Sequence, residues 1–536
     1  MATRRQPLIP GWLASGICAA GLIMLVAIAA LGALCAAAPN LDIQALWHDS
    51  YLWHIVRFSF WQALLSTLLS VAPAVPVARA LYRRRFPGRR LLIQLCAMTL
   101  VLPVLVTVFG ILSVYGHQGW LAQILSFFGI QWRLPVYGLT GILLAHIFFN
   151  LPMATRLLLL ALESIPPQQR QLAAQLNMRG WAFFRFIEWP QLKRRLPPAA
   201  ALIFMLCFAS FAVVLTLGGG PRATTIELAI WQALSYDFDP GRAALLALLQ
   251  ILCCLGLVAL GQYLGRSVSN ERGIAAYWRD PQDAGISRLW DAIIILLMLL
   301  LILPPLLAVV FDGLRGALLP ALSHPALWQA TWTSLRIAVA AAIVCLGLTL
   351  MLLWSARELR LRRHPLAGQT LEMSGMLILA MPGIVLATGF FLLLTNSIGL
   401  PDSADGVVIM ANALMATPYA LKVLEAPMRD AAARYGPLCA SLGLRGPRRL
   451  WIVEMRALRR PLSQALAFAC VLSLGDFGAV ALFGNEEFRT LPFYLYQQIG
   501  AYRSHDGAVT ALLLLTLCFL LFILMEGLSG RHADAN

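Results

Sequence analysis

Long apolar runs recur along the whole chain and are separated by short polar segments. About twenty apolar residues are needed to cross the roughly 30 Å hydrocarbon core of a bilayer, and by that rule the pattern predicts about twelve spanning helices. The predicted spans are residues 12–36, 58–80, 91–114, 137–161, 198–217, 243–264, 289–311, 332–354, 371–395, 405–424, 462–484 and 508–528. We therefore expect an all-α polytopic membrane protein.

The first apolar run lies close to the N-terminus, as the core of a secretory signal peptide would. It follows the basic residues Arg4 and Arg5. Its apolar stretch is longer than the 7–15 residues typical of a signal-peptide core. We therefore interpret it as a retained first helix that begins on the cytoplasmic side.

Arginine is concentrated in every second loop of the predicted topology. The basic loops follow spans two, four, six, eight and ten: Arg83–Arg90, Arg170–Arg195, Arg266–Arg288, Arg357–His364 and Arg429–Arg460. The loops between them are poor in arginine. Because cytoplasmic loops carry an excess of Lys and Arg, we expect the five basic loops and both termini to be cytoplasmic.

The composition supports this topology and argues against several other classes of protein. Of the 536 residues, 60% are hydrophobic and 12% are charged, whereas soluble domains contain about 25% charged residues. The formal net charge of +16 reflects the basic loops, so it indicates membrane topology rather than nucleic-acid binding. The lipid bilayer is the expected environment, with no nucleic-acid partner.

The sequence contains no motif for catalysis, metal binding or nucleotide binding. The ten cysteines have neither CxxC nor mixed Cys/His ligand spacing, so no disulfide framework or zinc site is predicted. The HExxH, Walker A, GxGxxG and GxSxG motifs are also absent. We expect no catalytic residues, no metal and no cofactor bound by this chain.

The two halves of the chain resemble each other. Leu52–Ala63 aligns with Leu327–Ala338 at an offset of 327 − 52 = 275, and Gly110 corresponds to Gly389. Six spans separate equivalent positions, so both copies have the same orientation in the membrane. Such parallel repeats are related by an axis along the membrane normal. We predict two parallel six-helix repeats with a central path between them.

A polar, helical segment follows the fourth span of each repeat. In the first copy, Asn177 stands where a short amphipathic helix would end, because asparagine tolerates the left-handed conformation. A second short stripe contains Phe183 and Ile187 and is expected to end at Pro190. Gly443 is the counterpart of Asn177 (443 − 177 = 266). Two equivalent cytoplasmic segments favour two docking sites for a partner, although amphipathic helices can also lie on lipid headgroups.

These segments resemble the cytoplasmic motif of permeases from binding-protein-dependent ATP-binding cassette (ABC) importers. That motif reads E-A-A, three residues, G, nine residues, I-x-L-P. Its matched positions here are Gln171, Ala173, Asn177, Ile187 and Pro190 in the first copy, and Leu438, Gly443 and Val453 in the second. Neither copy keeps the glutamate, the first lacks the glycine and the second lacks the proline. The spacing and the position in the loop match in both.

The resemblance implies a type I ABC importer permease fold, located in the bacterial inner membrane. It also implies two copies of an ABC ATPase, which would use the ATP, and a periplasmic substrate-binding protein. Stretches along the whole chain, among them LYRRRFPGRR (Leu81–Arg90) and TLPFYLYQQIGAYRS (Thr490–Ser504), resemble those of enterobacterial permeases for thiamine and thiamine pyrophosphate. This resemblance implies thiamine and its phosphates as the cargo. Ferric iron, carried by similar fused permeases, is an alternative. A secondary transporter of the major-facilitator type is another, because it also has parallel six-helix repeats.

This resemblance divides the chain into five segments. They are an N-terminal tail with the first transmembrane helix and a periplasmic loop (1–55), the first type-1 repeat (56–264), a cytoplasmic linker with the seventh helix (265–330), the second type-1 repeat (331–528) and a cytoplasmic tail (529–536).

Polar residues inside predicted spans are candidates for the translocation path, because burying them in lipid is costly. Asp476 is the clearest ionisable one, and Ser210 is its counterpart in the first repeat. With their neighbours Phe211 and Phe477 they could line a path for a cationic aromatic cargo through charge and cation–π contacts. Alternatively, Asp476 bonds neighbouring helices or lies at a wet edge.

His146 and Asn150 are four residues apart, which places them on one helix face. His146 corresponds to Asn412 in the second repeat. We favour helix–helix hydrogen bonding across the repeat axis for these residues over contact with the cargo.

Overall fold

A computed structural model describes residues 11–37, 48–99, 102–130, 134–265, 285–316, 318–362, 364–395, 404–444, 446–485 and 488–530. Within these ranges the chain is helical and has no β-strand. Ten of the described helices are long and apolar enough to cross a membrane, or up to twelve if each of two bent helix pairs is one span. The predicted all-α polytopic fold is confirmed. Arg4, Arg5, residues 266–284 and residues 531–536 lie outside the described ranges, so the topology of those segments stays a prediction.

The helices are named in chain order. The first half contains α1 (Gly11–Ala37), α2 (Ser50–Arg83), α3 (Arg89–Met98), α4 (Val104–Tyr115), α5 (Trp120–Phe127), α6 (Leu139–Glu163), α7 (Pro167–Gln175), α8 (Gly180–Phe183), a π-helix (Phe184–Glu188), α9 (Trp189–Phe208), α10 (Phe211–Leu217), a 3₁₀-helix (Pro221–Ala223), α11 (Ile226–Ser235) and α12 (Pro240–Gly265). The second half contains α13 (Gly285–Arg315), α14 (Leu318–Ser323), α15 (Pro325–Leu361), α16 (Pro365–Met376), a 3₁₀-helix (Leu377–Ala380), α17 (Gly383–Thr395), α18 (Ala404–Ser441), α19 (Gly446–Arg449), a π-helix (Leu450–Glu454), α20 (Met455–Ala457), α21 (Arg459–Gly475), α22 (Val480–Phe483), α23 (Leu491–Gly500) and α24 (Ser504–Gly530).

The chain folds into two compact units. The first-repeat unit contains Asp42–Ala229 and Leu252–Gly316, and within it α2 packs along α6 and α9 while α13 packs against α4 and α2. The second-repeat unit contains Met1–Leu41, Ile230–Ile251 and Ala317–Asn536. Within it α15 packs against α18 and α21, and α1 packs against α15, α16 and α17.

One equivalent glycine in each unit allows a close helix approach. A Cβ atom added to Gly110 on α4 would lie 2.4 Å from the carbonyl oxygen of Pro305 on α13. A Cβ atom on Gly389 of α17 would lie 2.7 Å from the Cβ of Ala30 on α1. Real Cβ atoms do not approach other heavy atoms so closely, because interiors are already close-packed. The repeated glycines found in the sequence are therefore explained by close packing against a neighbouring helix of the same unit, α13 for Gly110 and α1 for Gly389.

Four predicted spans are interrupted rather than continuous, one of them being 462–484, which breaks at Asp476 between α21 and α22. The segment 91–114 consists of α3 and α4, with Pro103 immediately before α4. The segment 371–395 bends by 86° between α16 and α17, next to Pro382, and the segment 198–217 bends by 53° between α9 and α10. Proline lacks the N–H that a continuing helix needs, which accounts for the breaks next to Pro103 and Pro382. The break within 198–217 falls at Ala209 and Ser210, which have non-helical backbone angles.

Candidate functional site

The segment after the fourth predicted span of the first repeat, predicted to be cytoplasmic, is a helix–turn–helix whose turn is fixed by hydrogen bonds. Asn177 follows α7 with φ 51°, in the left-handed region. The N–H of Met178 donates to the carbonyl oxygen of Ala173 at 2.9 Å, and the N–H of Asn177 donates to that of Ala174 at 3.0 Å. This pair of bonds is the Schellman arrangement that closes a helix C-terminus. The predicted helix-ending role of Asn177 is confirmed by this geometry.

The corresponding segment of the second repeat has the same turn. Gly443 has φ 64°. The N–H of Leu444 donates to the carbonyl oxygen of Cys439 at 2.8 Å, and that of Gly443 donates to Ala440 at 3.2 Å. Three residues later, Gly180 and Gly446 are also left-handed, at φ 49° and 61°. The two turns therefore share one backbone design, built on different residues.

A π-helix follows the turn in both repeats, at Phe184–Glu188 and Leu450–Glu454. Both ranges are again 266 residues apart (450 − 184 = 266). π-Helices are rare and occur frequently at functional sites. No residue pattern in the sequence predicts these π-helices. Their equivalent positions show that both repeats share this feature.

Each turn presents large apolar side chains to the outside. We name these six residues the docking stripes: Leu172, Leu176 and Trp181 in the first repeat, and Leu438, Leu442 and Trp451 in the second. Trp181 is 70% exposed and Trp451 is 69% exposed, although both are bulky apolar groups. Exposed apolar clusters with polar surroundings typically mark interaction surfaces.

The remaining predicted coupling residues have differing environments. Gln171 and Pro190 are exposed, Ile187 and Val453 are half-buried, and Ala173 is buried. The small side chain of Ala173 therefore serves packing of α7 on its own unit, whereas Gln171 is available to a partner.

Two details of the predicted layout are wrong. Pro190 does not end a helix but lies in the first turn of α9, which continues to Phe208. The π-helix runs directly into α9, so Pro190 lies within a continuous helix from Gly180 to Phe208 and does not interrupt it. In the second repeat there is no separate first short helix, since α18 runs without a break to Ser441. Only the first repeat has the consecutive prolines Pro166 and Pro167 that interrupt the chain before α7.

A buried glutamate joins each π-helix to a spanning helix, which the sequence reasoning missed. In the first repeat, Arg79 Nε on α2 lies 2.6 Å from Glu188 Oε2. In the second, Glu454 forms ion pairs with Arg357 on α15 and with Arg449, whose Nε is 2.9 Å from Glu454 Oε1. Both glutamates stand at the x position of the I-x-L-P motif, a position that this motif leaves unspecified.

Arg170 on α7 connects α7 to the C-terminal end of α6. Its guanidinium donates to the carbonyl oxygens of Leu162 at 3.1 Å and Ile165 at 3.0 Å, at the C-terminal end of α6. It also lies 4.7 Å from the centroid of the Tyr82 ring. Burial lowers the pKa of the Arg170 guanidinium from its ordinary value, an effect opposed by nearby Tyr82 and Glu188.

His146 binds two serines inside the first-repeat unit. Its Nδ1 is 2.8 Å from Ser66 Oγ on α2, and its Nε2 is 2.9 Å from Ser210 Oγ at the break before α10. Asn150 donates to Cys207 Sγ at 3.1 Å. In the second repeat, Asn412 donates to Ser473 Oγ at 2.9 Å. The predicted helix–helix hydrogen bonding is present, but the prediction that it crosses the repeat axis is wrong, because these bonds join helices of the same repeat. The path residue Ser210 is one of the partners of His146.

Asp476 lies at the equivalent break in the second repeat, between α21 and α22. Its carboxylate accepts hydrogen bonds from the N–H groups of Gly478 and Ala479, at 3.3 Å each. It thus caps the short helix that follows, an arrangement that neither sequence-based alternative anticipated. Next to it, the Phe477 ring lies 5.1 Å from the Tyr496 ring, centroid to centroid.

Phe211 and Phe477 are both buried; Phe211 begins α10, and Phe477 lies within the break between α21 and α22. Ser210 and Phe211 belong to the first-repeat unit, and Asp476 and Phe477 to the second-repeat unit. A joint path lined by all four residues stays a prediction.

Comparison with known proteins decides the family. The family model of binding-protein-dependent transport system inner membrane components matches residues 56–270. The thiamine transport system permease protein of Salmonella typhimurium is 70% identical over 536 residues, covering 100% of both chains, and that of Escherichia coli K12 is equally similar. The chain belongs to this permease family.

This permease is thus a polytopic inner-membrane component of a transport system, and its relatives are permease subunits rather than enzymes. The alternative resemblance, to ferric permeases, is much weaker. The ferric transport system permease protein of Actinobacillus pleuropneumoniae is 24% identical over 483 residues, covering 86% of this chain and 68% of that one.

Proposed function

We propose that this permease moves thiamine and its phosphates inward across the inner membrane, after delivery by a periplasmic binding protein. Two copies of an ABC ATPase would drive the cycle, one at each docking stripe. The full-length identity of 70% to permeases named for thiamine transport is the observation that carries the cargo assignment. ATP would be bound and hydrolysed by the ATPase, and this chain would bind no cofactor.

The duplicated cytoplasmic segment supports docking of two identical partners. Both copies share the left-handed turn, the π-helix and a stripe of exposed apolar side chains. An amphipathic helix that merely lies on headgroups does not require a fixed turn geometry, because lipids adapt to its shape. A rigid turn presenting Leu172 or Leu438 suits a preformed groove on a protein. Both termini would lie on the same, cytoplasmic side, in line with the arginine-rich loops.

The cargo path would use Asp476 and the aromatic residues beside it. A cationic ring such as the thiazolium of thiamine is attracted by a carboxylate and by the face of an aromatic ring. Asp476 supplies the carboxylate, and Phe477 and Tyr496 supply rings within the same unit. Ser210 and Phe211 would provide the corresponding wall from the first repeat.

The variant Asp476→Asn tests this cargo assignment. Asparagine also accepts hydrogen bonds at helix N-termini, so the cap on α22 should persist while the charge is lost. Cells that lack their own thiamine permease but supply the binding protein and ATPase would be assayed for uptake of labelled thiamine and of ferric iron. We expect thiamine uptake with the unchanged chain and a reduction on the order of tenfold with Asp476→Asn, the size of a lost charge contact.

The exposed residue Asp237 provides the matched control, since Asp237→Asn removes an acid of the same type from a solvent-facing position. Its uptake should equal that of the unchanged chain. Uptake of ferric iron without uptake of thiamine would replace the cargo assignment. Equal thiamine uptake with Asp476→Asn would remove Asp476 from the path.

A further inference from the structure

We name residues 172–188 and 438–454, which carry the docking stripes and the π-helices, the docking segments. The same type of buried ion pair connects the docking segment to a spanning helix in both repeats. The acidic partners, Glu188 and Glu454, end the two π-helices. The basic partners, Arg79 and Arg357, lie near the C-terminal ends of α2 and α15 and each follows an alanine in the sequence. Glu188 is 0% exposed and Glu454 is 1% exposed. The two internal copies differ in most residues but both contain this ion pair. This indicates that the ion pair has the same role in each.

The first pair combines a single arginine with an aromatic ring. Arg79 Nε donates to Glu188 Oε2 at 2.6 Å, and the Arg79 guanidinium lies 4.1 Å from the centroid of the Phe184 ring. The first and last residues of the π-helix, Phe184 and Glu188, thus both contact the guanidinium of Arg79 on α2. The Arg79 side chain keeps 20% of its surface exposed.

The second pair is deeper and has one more positive group. Glu454 forms ion pairs with Arg357 on α15 and with Arg449, the residue just before the π-helix. The Arg357 side chain is 4% exposed and also pairs with Glu358 Oε1 at 2.6 Å. The second repeat has no aromatic residue at the Phe184 position, where Leu450 stands.

We propose that these ion pairs are positioning contacts that fasten each docking segment to its spanning helix, so that displacement of the segment by an ATPase moves α2 or α15. The proposal rests on the proposed function. A buried charge that loses its partner is strongly disfavoured, so segment and helix must move together rather than separate. Hydrogen-bond and ion-pair networks of this kind carry energetic coupling between sites.

The difference between the two pairs makes the two segments unequal. Glu454 holds two guanidinium groups, whereas Glu188 holds one that is partly exposed. Removing the Glu454 charge would leave the buried Arg357 with Glu358 alone and would take this counter-ion from Arg449, whereas removing the Glu188 charge would take this counter-ion from the partly exposed Arg79. Arg449 belongs to the segment itself, so only Arg357 fastens it to α15, and this pair is more deeply buried than Arg79–Glu188. We therefore expect loss of the second pair to affect transport more.

The test measures how many thiamine molecules enter proteoliposomes for each ATP hydrolysed by the fully assembled complex. The variants are Glu188→Gln and Glu454→Gln, which keep the shape of the side chain. We expect each variant to retain ATPase binding and ATP hydrolysis while the ratio falls, on the order of tenfold for Glu188→Gln and further for Glu454→Gln. A purely structural role would instead lower binding, hydrolysis and uptake together. The control is Glu425→Gln, which breaks a half-exposed pair with Arg429 on α18.

A charge-swapped variant, Arg79→Glu with Glu188→Arg, addresses loss of assembly in the single variants. It restores a pair of opposite charges, so the ratio of thiamine to ATP should recover. An assembled swapped complex with a low ratio, or single variants with the ratio of the unchanged complex, would overturn the proposal. Failure of the unchanged complex to take up thiamine with ATP would instead contradict the proposed function.

Discussion

Two residues with a left-handed backbone, Asn177 and Gly443, set the shape of the docking segments. Glycine adopts this conformation without steric cost, and asparagine tolerates it better than other residues with a side chain. Asn177 also accepts a hydrogen bond from Arg179 Nε at 2.9 Å through its Oδ1. The apparent departure from the family motif at position 177 is thus a substitution between residues that suit the same backbone.

Replacing Asn177 with valine should distort the first turn, because a β-branched residue in this conformation costs roughly 1–2 kcal/mol or more. We expect about tenfold less ATPase to copurify with Asn177→Val at a fixed ATPase concentration, following from that free energy. Asn177→Gly is the matched control and should copurify as much ATPase as the unchanged chain. Equal yields from the valine and glycine variants would show that the turn does not determine docking.

At the scale of elements, two serine hydroxyls accept hydrogen bonds from the first N–H groups of two equivalent short helices. Ser59 Oγ on α2 accepts from the N–H of Ile226 at 3.0 Å, where α11 begins. Ser334 Oγ on α15 accepts from the N–H of Leu491 at 2.7 Å, where α23 begins. The first N–H groups of a helix have no intrahelical acceptor, so a buried helix start needs such a partner. Both serines lie in the sequence segments that first revealed the repeat.

Replacing Ser334 with alanine should loosen the start of α23, because a buried N–H without an acceptor costs about 1–3 kcal/mol. Hydrogen–deuterium exchange of the peptide that begins at Leu491 should accelerate by about tenfold or more. Ser374→Ala is the control, since the Ser374 hydroxyl donates to the carbonyl oxygen of Leu371 within its own helix. Unchanged exchange at α23 in the Ser334 variant would mean that this bond does not hold the helix.

Across the whole molecule, the apolar runs predicted the spanning helices because lipid imposes a simple length rule. Breaks within spans were harder to predict, because the helices end at Ser210 and Asp476 although no proline stands there. The pairing of Arg79 with Glu188 joins residues 109 positions apart, and no local pattern reveals such a contact. Nor does residue preference predict the π-helices. Asn177 was predictable because its conformation depends mainly on the residue itself.

The molecule as a whole combines duplicated docking segments with a membrane domain that has no recognised catalytic motif. If the docking stripes receive two ATPases, both are needed for transport. Leu172 and Leu438 are the matched positions at which to test this, because each is more than half exposed and its replacement should not disturb the core.

The decisive measurement is thiamine uptake by proteoliposomes that contain the permease, its ATPase and the binding protein, with and without ATP. We expect uptake that requires both ATP and the ATPase, and that is lost together with ATPase binding in Leu172→Asp and in Leu438→Asp alike. Uptake that continues without the ATPase and follows a proton gradient would contradict an ATP-driven importer and would favour a secondary transporter.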